Sequence, residues 1–355
     1  MKKNRTVYVN ARFLTQPITG VQRFAIELCE ELIKLDLEIR LVSPRNVLHS
    51  ELSKKFNNEP FGTLEGHLWE QIELPRFLKK KGNPILLNLC NTSPLFYHNS
   101  VVTLHDLAFI KHPEWFSFAF KSFYNFLIPK TIKKAKMILT VSNSVKTDIK
   151  NYFNQNGNNI HVVYNGLPLI FQNAKKSSKN ENTRPYFLAM GGKNPRKNLK
   201  NVLAAMQLLD NSDFDLRVIG RSEGNFNNIK VDENKYNFNL IYHTDIDDNQ
   251  LQSLYEGAKA LIYPSFYEGF GIPPLEALNA NCPIILSDIE VFRELYEDVA
   301  TFTDPNNVED IKSGIEKIIN NEFQTLTVEK KNELNDKYSY WNAAKIVSNR
   351  VEEFI

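Results

Sequence analysis

The chain has 355 residues, 42% of them hydrophobic and 24% charged, the composition of an ordinary globular protein long enough for two domains. Its three cysteines, Cys29, Cys90 and Cys282, are odd in number and widely spaced, which excludes a disulfide framework or a cysteine-rich metal module and leaves buried thiols. The overall charge of +2 hides an asymmetry: residues 1–170 carry 22 Lys+Arg against 13 Asp+Glu, the remainder 21 against 28, so a +9 half precedes a −7 half. A basic first half suits phosphates, an anionic membrane surface or nucleic acid.

Strand patterns fall at Thr6–Asn10, Ile39–Val42, Ile85–Leu89, Val101–His105, Met137–Val141 and His161–Tyr164. They are short and rich in Val, Ile and Leu, as strands buried on both faces should be. Thr6–Asn10 is too short and polar for the apolar region of a signal peptide, although a basic start precedes it. No apolar run of about 18 residues offers a spanning helix. Helical patterns lie between the strands. Gly20–Leu35 aligns Phe24, Leu28, Leu32 and Leu35 on one stripe; Leu68–Lys80, Phe116–Lys134 and Ser144–Tyr152 follow. This βα alternation predicts a mostly parallel sheet covered on both faces.

The polar stretch from Phe171 to Arg184 has no periodicity and reads as a linker. The alternation then restarts. Strands are predicted at Tyr186–Met190, Leu216–Ile219, Leu240–Tyr242, Ala260–Tyr263 and Pro283–Leu286. Helices are predicted at Asn198–Leu209, Asn249–Gly257, Pro273–Ala280, Val308–Asn320 and over Tyr340–Ile355. The expected division is 1–170 for an N-terminal domain, 171–184 for the linker and 185–339 for a second domain. The last helix, 340–355, is expected to pack back on the first domain. The fold class is thus α/β, with two doubly wound Rossmann-like domains and a cleft at the carboxyl ends of both sheets.

Chemistry concentrates in Tyr263–Leu278, which reads YPSFYEGFGIPPLEAL. A buried strand ends at Pro264. A loop carrying Glu268, Gly269, Phe270 and Gly271 follows, and Pro273 and Pro274 open a helix. A helix start offers free N–H groups and a positive dipole end, suited to a diphosphate. Glu276 is expected in the first turn of that helix, so two carboxylates address one ligand.

Glu268, seven residues and Glu276, framed as PSFYEGFGIPPLEAL, resemble the signature of glycosyltransferase family 4, a group of retaining enzymes with the two-domain GT-B fold. Further strings are similar to family landmarks in the same order: TGVQRFA from Thr19, LWEQ from Leu68, TLHDL from Thr103, TVSNS from Thr140, VVYNG from Val162, GGKNPRKN from Gly191 and YSYWNAA from Tyr338. The resemblance covers nearly the whole chain.

The resemblance implies roles. Glu276 would bind the donor ribose hydroxyls. Glu268 would lie at the donor sugar, with Gly269, Phe270, Gly271 and Leu275 also on the donor side. Lys197 would hold the diphosphate. Relatives often carry an arginine after the glycine where this chain has Gly191-Gly192-Lys193, so Arg196 or Lys193 stands in for it. Gly20 would sit in a phosphate-type loop, with Arg23 one turn on as either an acceptor-side group or a surface arginine. His105 would lie beside the donor sugar, making Glu268, His105 and Lys197 the catalytic set, with Asp106 on the acceptor side.

No metal or other cofactor is implied, and Asp245-Ile-Asp247 reads as helix capping rather than a metal motif. The basic, aromatic stretch Phe116–Lys136, with Arg76 and Lys79–Lys81, suits an interfacial helix on anionic lipid or a core helix with a solvated rim. No nucleic-acid motif is present.

The expected function is transfer of a hexose, mannose by general likeness, from a nucleoside-diphosphate sugar. The acceptor would be a saccharide or polyprenyl-linked saccharide in cell-surface polysaccharide synthesis. The expected location is the cytoplasm, at the inner face of the membrane. A sugar-nucleotide epimerase, a phosphorylase or an inactive sugar-nucleotide-binding partner are the alternative readings.

Overall fold

The computed structural model describes residues 6–172, 184–191, 194–209, 213–220 and 236–355. Among them the chain builds two parallel sheets. The first contains β1 (Thr6–Asn10), β2 (Glu38–Ser43), β3 (Glu59–Pro60), β4 (Ile85–Asn88), β5 (Ser100–Leu104), β6 (Met137–Thr140) and β7 (Ile160–Val162), in the order β3-β2-β1-β4-β5-β6-β7. The second contains β8 (Tyr186–Met190), β9 (Asp215–Ile219), β10 (Leu240–His243), β11 (Leu261–Tyr263), β12 (Ile284–Ser287) and β13 (Ala300–Thr303), in the order β10-β9-β8-β11-β12-β13.

Every strand pair is parallel, so helices must return the chain across the faces. That coverage is why β1, β4, β5, β6 and β12 are buried along their whole length, whereas β10 and the start of β2 are partly exposed. In each sheet the order reverses beside its first strand: between β1 and β4, and between β8 and β11. Loops leaving the carboxyl ends of those pairs diverge, which opens a crevice for ligands.

One compact unit comprises the residues up to Leu107, Ser122–Gly166 and Lys337–Ile355. The other comprises Ala108–Lys121 and Leu167–Asp336. The division expected at 170 therefore shifts. Residues 108–121 belong with the second unit because Ala108 and Trp115 are buried with Tyr267 in one apolar cluster. The helix Tyr340–Glu352 belongs to the first unit, where it packs on helix Gly20–Leu32 and sets Tyr340 6.1 Å from Phe24 between ring centroids.

Most of the predicted linker, 171–184, lies outside the described residues. Its start is not linker-like: Phe171 ends in a short helix, Leu169–Gln172, is buried, and accepts a hydrogen bond from Asn279 Nδ2 through its carbonyl. The helix predicted to Leu35 ends at Leu32, and Ile33 is exposed. The helix predicted from Leu68 starts at Gly66 and is interrupted by a π turn over Trp69–Glu73. Sequence reading missed β13 and the helices Glu290–Tyr296 and Val328–Lys337. The last buries only Leu334, so it has no apolar stripe to read.

Candidate active site

The second unit gathers its functional groups where β8 and β11 end. After β8 the chain turns at Gly191, at φ +94°, a left-handed conformation that favours glycine. A Cβ there would lie 2.0 Å from Lys197 Cγ, so only glycine lets the Lys197 stem cross the turn. Asn194 caps a single 3-10 turn, Pro195–Lys197, by accepting from the Arg196 amide at 3.1 Å. Asn198 is itself left-handed and opens helix Leu199–Gln207. Its amide Nδ2 donates to the carbonyls of Pro264 at 3.1 Å and Pro305 at 2.7 Å. The Phe266 amide donates to the Arg196 carbonyl at 3.0 Å. These bonds tie the loop after β8 to the loop after β11.

Glu268 sits at that junction with only 6% of its surface exposed. Lys197 Nζ donates to its Oε1 at 2.5 Å, and the Tyr263 hydroxyl donates to the same oxygen at 3.0 Å. Lys197 also donates to the Tyr263 hydroxyl, and Arg196 reaches Glu268 Oε2 at 3.7 Å. Burial alone would raise the Glu268 pKa. The charges of Arg196 and Lys197, with hydrogen bonds from Lys197 and Tyr263, outweigh it and lower the carboxyl to about 2. Glu268 is therefore a fixed carboxylate at neutral pH, not a proton donor. The Tyr263 phenol is pushed far up by burial and by Glu268, so it stays a donor.

Glu276 is buried in helix Ile272–Asn279. It does not lie in the first turn, as the sequence reading placed it: that turn carries no acidic residue, because the helix begins one residue before Pro273. Its Oε2 accepts from the Tyr255 hydroxyl at 2.9 Å, and Tyr255 also faces Met190 Sδ at 3.9 Å. Tyr255 is held neutral by burial and the adjacent carboxylate. The Tyr255 hydroxyl therefore orients Glu276 beside the end of β8. A carboxylate so placed accepts well from paired hydroxyls.

Gly269, Phe270 and Gly271 are buried between the two glutamates, and Leu275 is 1% exposed. Gly271 caps the helix at φ +89°, and a Cβ would meet the Phe292 ring at 2.7 Å. Its carbonyl accepts from the Tyr296 hydroxyl at 3.0 Å. Lys193, with Gly192, lies outside the described residues. Asp247 caps helix Asp248–Gly257 in a reciprocal box with Gln250. Among the described residues no group of three His, Cys, Asp or Glu could hold a metal ion.

The first unit places His105 one residue past β5, buried, with its Nε2–H donating to the Leu89 carbonyl at 2.8 Å and its ring edge-on to Phe24 at 4.8 Å. Burial lowers its pKa, offset in part by Leu89 and Asp106, so the ring is neutral at pH 7. Asp106 follows, half-buried. Gly20 is the exposed first residue of its helix after the Thr19 cap, and Arg23 is half-buried one turn on. The second-unit set, Lys197, Arg196, Glu268 and Glu276, is thus one constellation, whereas His105, Asp106, Gly20 and Arg23 belong to the other unit. Sequence reasoning missed Asn198, Tyr255 and Tyr263, whose roles depend on partners 5 to 107 residues away; Tyr263 lay within the motif and was read only as strand.

Of the predicted aromatic face, Phe116 stacks on Phe120 at 5.0 Å and Phe123 packs on His67 at 4.5 Å, so neither stands open. Phe118 is 82% and Phe126 55% exposed. Lys130 Nζ lies 3.2 Å above the Phe126 ring, and Lys134 covers Phe96, which is 68% exposed and escaped the sequence reading.

Comparisons with known proteins identify the family. The profile of the family described as glycosyl transferases group 1 matches residues 170–339, and that of Glycosyltransferase Family 4 matches residues 18–171. The chain is 31% identical over 280 residues to the O-antigen chain mannosyltransferase RfbU of Salmonella typhimurium, covering 78% of this chain and 76% of that one. It is 26% identical over 340 residues to the O-antigen chain mannosyltransferase B of Escherichia coli, covering 84% and 86%. Among solved structures, Anabaena HepE in complex with UDP-glucose superposes with a TM-score of 0.73 over 98% of this chain and 99% of that one, at 13% identity, a likeness of fold. The sucrose-phosphate synthase of Thermosynechococcus elongatus does so at 0.72 over 98% of both chains, at 13% identity. With two parallel Rossmann-like sheets, the paired glutamates at a switch point and a relative above 30% identity along most of its length, the chain belongs to glycosyltransferase family 4 and is a glycosyltransferase of the GT-B fold.

Proposed function

We propose that the chain transfers mannose from GDP-mannose, with retention of configuration, to a saccharide or polyprenyl-linked saccharide acceptor in surface polysaccharide synthesis. The observation that carries the reading is the Lys197–Glu268–Arg196 set, with Glu276 beside it, at the carboxyl ends of β8 and β11. The mannosyltransferase relatives support the sugar and the O-antigen setting.

In this reading Glu276 anchors the donor ribose. Lys197 and Arg196 take the diphosphate, whose negative charge grows as the bond from the anomeric carbon to the phosphate oxygen breaks. Two cations against one buried carboxylate leave a positive surplus for that anion. The cations serve where other glycosyltransferases use a metal, so the reaction needs none. Glu268, ionised and immobile, stabilises positive charge at the anomeric carbon, while the departing phosphate accepts the acceptor's proton. Gly269, Phe270, Gly271 and Leu275 line the donor, with Gly20 at its phosphates. His105, its Nε2–H committed to Leu89, accepts from a donor sugar hydroxyl through Nδ1, and Asp106 and Arg23 lie on the acceptor side.

The protein works at the cytoplasmic face of the membrane, through Phe96 and Phe126 with their lysines and the exposed Arg76 and Lys79–Lys81. Salt-sensitive flotation with phosphatidylserine vesicles, lost on Lys→Glu changes, supports that placement; no flotation refutes it.

Thermal shift against GDP, UDP, ADP and their sugars tests the donor: stabilisation by GDP and GDP-mannose above the rest is expected. Equal response to all nucleotides, or to none, refutes the assignment. NMR of the product anomer tests retention, and transfer surviving in Glu268→Ala would remove Glu268 from the mechanism.

A further inference from the structure

The first unit has its own switch point, between β1 and β4, and a buried polar cluster occupies its carboxyl edge. Glu70 lies at the centre, 1% exposed. Asn10, the last residue of β1, donates through Nδ2 to Glu70 Oε1 at 2.8 Å and to Asn88, the last residue of β4, at 3.1 Å. The Thr92 hydroxyl donates to Glu70 at 2.9 Å, His67 Nδ1 lies 3.1 Å from Oε2, and Arg12 Nε lies 3.5 Å from Oε1.

Burial opposes ionisation here, but Arg12, with His67 and Asn10, lowers the Glu70 pKa to about 2. An ion pair in such a place is no gain for the fold: well-packed apolar residues would serve stability as well or better. The backbone is also irregular. Glu70 projects from the π turn Trp69–Glu73, whose Trp69 is locked by donating Nε1–H to the Phe61 carbonyl at 3.0 Å. Such turns cluster at functional sites. Next to Thr92, Ser93 is 1% exposed and its hydroxyl has no protein partner.

We propose that this cluster is a cradle for a neutral pyranose of the acceptor. His67 contacts its hydroxyls, and Glu70 is the positioning residue that fixes Arg12, Thr92 and His67. The inference rests on the transferase reading above and adds the residues that hold the acceptor. The chemistry selects a neutral sugar over an anion. Arg12 is already matched by Glu70, and the amides and hydroxyls around them both donate and accept, as sugar hydroxyls do. His67 supplies the outer edge. Its side chain is 36% exposed, its Nδ1–H is committed to Glu70, and its ring packs on Phe123. A half-exposed ring pair is an apolar face of the kind a pyranose can cover.

The test uses the full chain with octyl α-D-mannopyranoside as the acceptor probe. Donor hydrolysis without acceptor, transfer to the glycoside, and glycoside binding by saturation-transfer NMR are measured separately. Glu70→Gln and His67→Ala are expected to raise the KM for the glycoside at least about 10-fold while kcat and donor hydrolysis stay within about 3-fold, the signature of lost acceptor binding. His67, being half-exposed, gives a variant whose folding does not depend on the buried charge. Thr92→Ser retains the hydroxyl and should behave as wild type, with Thr92→Val resembling Glu70→Gln. Unchanged KM and binding in Glu70→Gln and His67→Ala overturns the cradle, as does an equal loss of donor hydrolysis and acceptor transfer. Wild-type protein that fails to bind the glycoside also overturns it. Wild-type protein that binds the glycoside but neither hydrolyses nor transfers from a sugar nucleotide refutes the transferase reading alone.

Discussion

Replacing Lys197 by Met should destabilise the second unit in a pH-dependent way. The methionine keeps most of the buried stem but deletes the ammonium 2.5 Å from Glu268, leaving that carboxylate with Tyr263 and the more distant Arg196. The Glu268 carboxyl falls from an ordinary 4.5 to about 2. At about 1.4 kcal/mol per pKa unit, that gap makes its folded-state surroundings worth about 3 kcal/mol. Breaking a buried pair while one charge stays buried costs ~3–5 kcal/mol, and the surviving partners favour the lower end. At roughly 2–4 °C per kcal/mol, the second unit should melt about 6–12 °C lower at pH 7.

Because the folded pKa is depressed, this stabilisation is complete above about 4.5. It is lost as pH falls toward about 2. Thermal melts of wild type and Lys197→Met from pH 7 to pH 3 should therefore converge below pH 4.5. In a Glu268→Gln background the Lys197→Met penalty should shrink, since no orphaned charge remains. A penalty that stays constant with pH, or is as large in the Gln background, would refute the coupling.

Gly191→Ala, read by transfer assay and melting, should lower kcat by at least about 10-fold with modest loss of stability, because its Cβ collides with the Lys197 stem rather than with the core. Glu276→Gln can still accept from Tyr255 and should melt within about 1 kcal/mol of wild type while weakening nucleotide binding in calorimetry; Glu276→Leu, which strands the Tyr255 hydroxyl, should also lose ~1–3 kcal/mol of stability. Transfer from GDP-mannose should survive dialysis against EDTA unchanged, and restoration by Mg²⁺ or Mn²⁺ after loss would show that Lys197 and Arg196 do not suffice.

Much of this molecule was legible in one sequence. Thr6–Asn10 and Tyr186–Met190 match β1 and β8 to the residue, because strands buried on both faces carry consecutive apolar residues, as Val7–Val9 and Tyr186–Met190 do. β13, with its half-exposed ATFT, and the helix Val328–Lys337, with one buried leucine, gave no such run. The motif from Tyr263 onward marked Glu268 and Glu276. It did not reveal that Tyr263 and Tyr255 are the donors that orient them, since a tyrosine in an apolar segment reads as core. The π turn at Trp69–Glu73 was equally hidden: LWEQ looked like ordinary amphipathic helix.

The sequence by itself determined the alternation of strands and helices and the two glutamates on their loop and helix. Those are local facts, carried by the spacing of apolar residues and by glycine and proline at turns. Only the tertiary structure decided which charges meet. Lys197 and Glu268 are 71 residues apart, and Glu70 is 60 from Asn10 and 22 from Thr92. Strand order brings the ends of β8 and β11, and of β1 and β4, side by side. A hydrogen bond needs its partners within about 3 Å, and no pattern along the chain encodes that distance.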